Sequence, residues 1–272
     1  MNKLPAGLPL RLRLQFTVTR WLSRALKLLG LRETVLRTRS AAARKRRRFF
    51  EARGSARFST PALHEMDRKL DAIINLREGF FVEAGGHNGY TQSNSYFLER
   101  FRGWRGILAE PMPELAAEAK LNRPNAQVFQ CALVGADYQD AGVEMEFGDL
   151  LTTVRGLHED GQHDVLGGLA LGWRDHRVEH VPARSLDSVL DQAEVCKIDL
   201  LSLDVEGYED QVLRGLDLSR HAPRWILIEM HDLDIGREKV HAVLGDRYVE
   251  HEILSPMDIL YRCADSARQS SG

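Results

Sequence analysis

Phe80-Phe81-Val82-Glu83-Ala84-Gly85-Gly86-His87-Asn88-Gly89-Tyr90 decides how this chain folds. An apolar run ends in an acid and a glycine-rich turn, and a helix-like stretch follows. A second apolar run then ends in Gly106-Ile107-Leu108-Ala109-Glu110-Pro111. Read in order, these are the opening elements of a βαβ nucleotide site. Glycines there let the backbone approach the ligand, and the acid closing the second strand accepts hydrogen bonds from both ribose hydroxyls. The glycines stand at Gly85, Gly86 and Gly89 with Glu83 ahead of them, so the G-x-G-x-x-G spacing of a pyrophosphate turn is missing. S-Adenosyl-L-methionine, which has a ribose and a cationic amino-acid tail but no phosphate, fits this spacing better.

The alternation continues on both sides. The pattern predicts strands over 79–83, 105–110, 126–132, 200–204 and 225–229, and helices over 63–76, 91–101, 113–122 and 237–244. A closing pair of strands is expected at 248–253 and 258–262, joined by Ser255-Pro256. Such alternation implies a parallel sheet with helices on both faces and ligands at the carboxyl ends of the strands. Residues 148–176 break the pattern with six glycines and with His158, His163 and His176. They read either as a substrate-binding flap or as a surface insertion of no catalytic consequence.

Four blocks in register carry a family resemblance. Glu83-x-Gly85-x-x-Asn88-Gly89 leads to Ser93-Asn94-Ser95, and Gly103-Trp104-x-Gly106-Ile107-Leu108-x-Glu110-Pro111 follows. Ser185-Leu186-Asp187 and Leu201-Ser202-Leu203-Asp204-Val205-Glu206-Gly207-Tyr208-Glu209 complete the set. From about Phe80 to Arg262 the chain resembles the FkbM-type methyltransferases. The resemblance implies an α/β, Rossmann-like class I methyltransferase fold. That fold has a mostly parallel seven-stranded sheet, a C-terminal antiparallel hairpin and helices on both faces. It implies S-adenosyl-L-methionine as cofactor and O-methylation of a hydroxyl on a sugar, a glycan or a natural product such as a polyketide.

Each residue at these strand ends has a chemical reading beside a plainer one. Glu83 can take the cofactor's ammonium group by a charge-assisted hydrogen bond, or only organise the 85–89 turn. Gly85, Gly86 and Gly89 permit close approach, and Asn88 is placed to orient that loop. Ser93 and Asn94 either face the cofactor carboxylate or cap the next helix. Glu110, halted by Pro111, is positioned to bridge two vicinal hydroxyls, the alternative being a surface salt bridge. Cys131 and Ala132 end the third strand, where an adenine ring would lie. Cys131 offers packing there rather than a nucleophile, because no histidine partner is identifiable.

Asp204, with Glu206 and Glu209 close behind, would face the transferred methyl group. Transfer from sulfonium to oxygen is an in-line displacement in which the acceptor is aligned and loses its proton. Asp204 is assigned to the sulfonium end or to that proton. His231 is the rival base by its ordinary pKa, or else a hydrogen-bonded loop residue. Asp204, Glu206, Glu229 and Asp232 could also gather round a divalent cation. Spacing alone does not bring four carboxylates together, and no metal is expected.

Charge separates one end of the chain from the rest. Residues 1–57 hold 16 Lys or Arg against Glu33 and Glu51, a net of +14, which leaves -16 on the remainder. Residues 12–31 set Leu14, Val18, Trp21, Leu22, Ala25, Leu28 and Leu29 on one helical stripe with four bases opposite. Arg44 to Arg48 follow as an unbroken basic run. The segment reads as a helix packed on the catalytic domain or on a partner subunit, as peripheral contact of residues 12–50 with an anionic membrane, or as an organelle-targeting peptide. No nucleic-acid partner is expected, since no binding module is recognisable.

At 272 residues the chain divides into a basic extension over 1–59, a methyltransferase domain over 60–263 and a flexible tail over 264–272. Cys131, Cys196 and Cys263 lack metal-ligand spacing and point to buried thiols in a reducing compartment. No apolar run reaches the roughly 18 residues of a membrane span, so a cytoplasmic protein is expected. Two other function classes stand against the methyltransferase. An NAD-dependent oxidoreductase lacks its G-x-G-x-x-G. A non-catalytic cofactor-binding tether in a glycan-assembly complex would not need Glu83, Glu110 and Asp204 together.

Overall fold

The computed structural model describes residues 32–148, 151–154 and 177–264. The amphipathic stripe at 12–31, most of the glycine-rich segment 148–176 and the tail beyond 264 lie outside the described residues. In chain order the strands are β1 (Phe80–Ala84), β2 (Arg105–Ala109), β3 (Ala126–Phe129), β4 (Ala132–Val134), β5 (Gly142–Gly148), β6 (Leu151–Val154), β7 (Arg177–Ser185), β8 (Leu200–Leu203), β9 (Trp225–Glu229), β10 (Tyr248–Ile253) and β11 (Asp258–Cys263). The helices are α1 (Arg32–Glu51), α2 (Met66–Ile74), α3 (Tyr96–Arg102), α4 (Pro113–Asn122), α5 (Leu186–Gln192), α6 (Glu209–Arg214) and α7 (Leu233–Leu244).

Seven strands form the main sheet in the order β10-β11-β9-β8-β1-β2-β3. It is parallel from β9 to β3, and β11 and β10 close it as an antiparallel hairpin. This is the seven-stranded Rossmann-like methyltransferase sheet that the resemblance implies. Central parallel strands are covered on both faces, which is why they read as unbroken apolar runs. Phe81, Leu108, Leu200 and Leu227 face one layer, where α2, α3 and Trp104 pack. Val82, Ile107, Leu201 and Ile226 face the other, filled by α5, α6 and α7.

The elements depart from the pattern in several places. The stretch expected as one strand over 126–132 divides: β3 stays in the main sheet, and β4 leaves it to pair with β7. The helix expected from Thr91 begins at Tyr96, because residues 93–95 are held in a turn described below. A second sheet, β4-β7-β5-β6, was not anticipated. Its strands β4 and β6 are only three and four residues long, and Pro182 interrupts β7, which argues against a strand from sequence. This sheet buries Met112, Ala132, Val143, Met145 and Val181 in a small core of its own.

Candidate active site

Register builds the site. Ala84 pairs with Ala109 on one side and Leu203 on the other, so Gly85, Glu110 and Asp204 emerge abreast at the carboxyl edge. On the far side of β8, Leu203 pairs with Ile228, which brings Asp204 level with Glu229. Gly85 sits at φ +79, and a Cβ there would lie 1.8 Å from the carbonyl oxygen of Asp204. Only glycine lets β1 turn away between its two neighbours. The turn opens a cleft of about 910 Å³, its mouth included, lined by Glu83, Gly85, Ser93, Asn94, Glu110, Pro111, Cys131, Ala132 and Asp204 among others. Met145 and Val154 of the second sheet supply a further apolar wall.

Glu83 is buried, and both of its oxygens are engaged. Oε2 accepts from Ser93 Oγ at 2.9 Å, Ser95 Oγ at 2.6 Å and Arg123 Nη1 at 3.3 Å, while Oε1 accepts from Asn94 N at 2.8 Å. Asn94 then reaches across to Ser202 Oγ on β8 at 3.1 Å. This carboxylate shapes the 93–95 turn, and Tyr96 N closes on Ser93 Oγ to start α3. Arg123, just past α4, is wholly buried and also donates to Glu99, Ser93 and Ser95.

Gly86, Asn88 and Gly89 stand behind the cleft and are not among its lining residues. Asn88 Oδ1 accepts from Tyr90 N at 3.1 Å and Thr91 N at 2.8 Å, fixing the turn from within. Gly89 has φ +73 and packs against Ala119 and Arg123 so closely that a Cβ would meet atoms at 2.8–3.1 Å. Glu110 is buried, and its Oε1 accepts from Met112 N at 2.9 Å. Burial lifts its pKa to about 7 against the opposing pull of backbone N–H groups. Burial likewise pushes the Cys131 thiol up to about 11, which leaves it a packing group.

The acids beyond β8 separate into distinct environments. Burial, then the hydrogen-bonded carboxylate of Glu229, raises the Asp204 pKa well above its ordinary value. Glu209 turns back to accept from Val205 N and Gly207 N, closing the turn in which Glu206 takes φ +56. His231 lies outside the cleft wall, with Nε2 3.1 Å from Glu206 Oε2. That contact lifts its pKa to about 9, so the ring is an imidazolium at neutral pH. Among the described residues, no group of three or more His, Cys, Asp or Glu has the geometry to hold a metal ion.

The profile of the methyltransferase FkbM domain matches residues 83–255, well over half of the chain. The chain belongs to the FkbM methyltransferase family. A search of the curated proteins finds no match. Among solved structures, similarity extends to a TehB-like SAM-dependent methyltransferase from Corynebacterium glutamicum, with 12% identity, 83% of this chain and 98% of that one covered, and a TM-score of 0.40. The O-methyltransferase from Bacillus cereus in complex with SAH shows 11% identity, 82% and 90% coverage, and a TM-score of 0.43. A SAM-dependent methyltransferase from Geobacter sulfurreducens in complex with S-adenosyl-L-homocysteine shows 14%, 75%, 71% and 0.36 for the same measures.

In this FkbM methyltransferase, the structure gathers the strand-end residues named from sequence into one cleft and sets the turn residues behind it. Sequence reasoning passed over Arg123, and it named Glu229 only among four carboxylates that could gather round a cation. Arg123 carried no signal, since a single arginine after a helix reads as surface. That Glu229 stands beside Asp204 follows from the β8–β9 register.

Proposed function

We propose that this FkbM-family enzyme transfers a methyl group from S-adenosyl-L-methionine to a hydroxyl oxygen of a small-molecule or glycan acceptor. The observation that carries the reading is Glu110 and Asp204 flanking Gly85 on one cleft, a diol-binding acid beside an acid pair. When bound, S-adenosyl-L-methionine supplies a methyl group activated by its sulfonium. The residues present fit that molecule. Glu110 holds the ribose hydroxyls, while Leu115, Cys131, Ala132, Leu133 and Met145 offer an apolar bed for adenine. Thr91, Ser93 and Asn94 face the amino-acid end, and Glu83 acts on it through the turn whose hydrogen bonds it satisfies. Asp204, paired with Glu229, orients the acceptor hydroxyl and receives its proton.

Glu110→Gln is expected to weaken S-adenosylhomocysteine binding by about 1.5–3 kcal/mol, the scale of hydrogen bonds to a charged group. Diol binding favours the ionised carboxylate, so wild-type affinity should fall as pH drops through about 7. Titration calorimetry reads both effects. An unchanged affinity in folded Glu110→Gln, or a pH profile shared by both proteins, would remove Glu110 from the ribose. The acceptor is tested by labelled methyl transfer into an extract of the source cells, followed by identification of the product.

The basic extension supports a peripheral contact with an anionic membrane surface. Arg39, Lys45, Arg46 and Arg48 are exposed on α1 beside Phe49, an exposed aromatic. No helix of the described residues is long and apolar enough to cross a membrane. The full chain should float with vesicles containing anionic lipid, and Arg39→Glu/Lys45→Glu should float less. Equal flotation of the two proteins would discard the contact.

A further inference from the structure

We propose that the basic N-terminal helix is part of the framework of the cofactor site, with Arg47 as the positioning residue for the turn over 88–91. The cofactor half of this statement rests on the reading of the cleft given above. Arg47 is set apart within its own run of bases. Its neighbours Lys45, Arg46 and Arg48 are exposed, whereas Arg47 is 5% exposed. A guanidinium taken out of water is costly unless its donors are met, and here two hydrogen bonds and an aromatic ring at the back of the methyltransferase domain receive it.

Arg47 Nη2 donates to Asn122 Oδ1 at 2.7 Å, and Nε donates to the Tyr96 hydroxyl at 3.2 Å. The guanidinium also lies 3.5 Å from the centre of the Tyr90 ring. Arginine has donors only, so the first of these bonds fixes which way the Asn122 amide points. Its NH₂ is thereby turned to the Asn88 carbonyl, to which it donates at 2.8 Å. The Asn88 side chain in turn holds Tyr90 N and Thr91 N, and Thr91 lines the cleft. Tyr90 is fixed a second time, its hydroxyl donating to Phe58 O at 2.8 Å.

The turn needs holding. His87, Gly89 and Gln92 all have left-handed φ values, +45, +73 and +58. A non-glycine backbone in that region persists only where its surroundings over-determine it. Part of that constraint comes from Arg47 and Phe58, both outside the matched domain over 83–255. The extension that the sequence sets apart at residue 59 therefore supports the wall of the cleft from behind.

The test uses the full chain with Arg47→Met, Arg47→Lys, Asn122→Ala and the double variant Arg47→Met/Asn122→Ala. Arg47→Met keeps the stem and removes every donor. Arg47→Lys keeps the charge but not the planar fork. In ligand-free protein, hydrogen exchange at the amides of Gly89, Tyr90 and Thr91 should quicken about tenfold or more in Arg47→Met, with β1 amides unchanged. S-Adenosylhomocysteine affinity should fall about ten- to hundredfold, Arg47→Lys should lie between, and the double variant should be no worse than the stronger single. Turn amides that do not change, turn and β1 amides that quicken together, or fully additive losses would overturn the proposal. Wild-type protein that binds no S-adenosylhomocysteine would overturn the cofactor reading instead, and the exchange pattern would still decide the role of Arg47. Arg47→Lys and Asn122→Ala carry the test if Arg47→Met does not fold.

Discussion

Arg123→Met is expected to lower folding stability by about 3–5 kcal/mol, the scale for removing one member of a buried ion cluster. The Arg123 side chain is wholly buried between Glu83 and Glu99, of which Glu99 is wholly buried as well. Methionine fills much of the volume but leaves two carboxylates facing an apolar stem. Three further hydrogen bonds are lost, to Ser93 Oγ, Ser95 Oγ and Gly89 O. Those bonds hold the 93–95 turn and the back of the glycine loop, so binding in the cleft should weaken together with stability. Arg123→Lys supplies a charge but cannot reach all these acceptors at once, and should fall between wild type and Arg123→Met. Urea unfolding monitored by two probes provides the measurement. A folded Arg123→Met protein within about 1 kcal/mol of wild type would mean that the carboxylates find other partners or water, and that Arg123 is not the keystone of the turn.

The same cluster marks how far the sequence could be read. Phe80 to Ala84 and Arg105 to Ala109 announce themselves because a parallel strand buried on both faces is apolar along most of its length, and Gly85 because a chain turning away between two neighbours needs a residue without a Cβ. Glu110 and Asp204 followed from strand ends alone. What sequence could not supply was register, and register is what sets Asp204 beside Glu229. Nor could it supply the partner of Glu83. A strand-end acid looks free to meet an ammonium group until Ser93, Asn94, Ser95 and Arg123 are seen converging on it. The second sheet stayed hidden for another reason. Two of its strands, β4 and β6, are only three and four residues long, and Pro182 interrupts β7, so the local strand pattern is weak there. The basic run at Arg44 to Arg48 reads as one solvated face, yet Arg47 alone turns inward. A run of five arginines and lysines gives no local hint as to which one will be buried.

Asp204→Asn is expected to slow turnover by about 10²–10⁴, the usual worth of a positioned general base, while changing cofactor affinity far less. Asn keeps the shape and can still hydrogen-bond to Glu229, but it cannot receive a proton. Burial and the carboxylate of Glu229 hold the Asp204 pKa well above its ordinary value. A carboxylate at its ordinary pKa is a poor acceptor for a hydroxyl proton, and one lifted in this way accepts it at a smaller penalty while it is ionised, so kcat should fall as Asp204 is protonated at lower pH. Glu229 hydrogen-bonds to Asp204, so Glu229→Gln should reproduce much of the loss. His231 is the natural comparison. Its contact with Glu206 lifts the imidazole to about 9, so near neutral pH the ring already carries the proton that a base would take up. His231→Gln should therefore stay within about tenfold of the wild-type rate, well short of the loss of a general base. Steady-state kinetics with saturating acceptor separate the cases: a fall in kcat at constant cofactor KM assigns proton removal, and parallel losses of kcat and affinity assign Asp204 to the cationic end of the cofactor. A dead His231→Gln enzyme beside a near-normal Asp204→Asn one would reverse the assignment, and the acid pair would then be read as electrostatic support for the histidine.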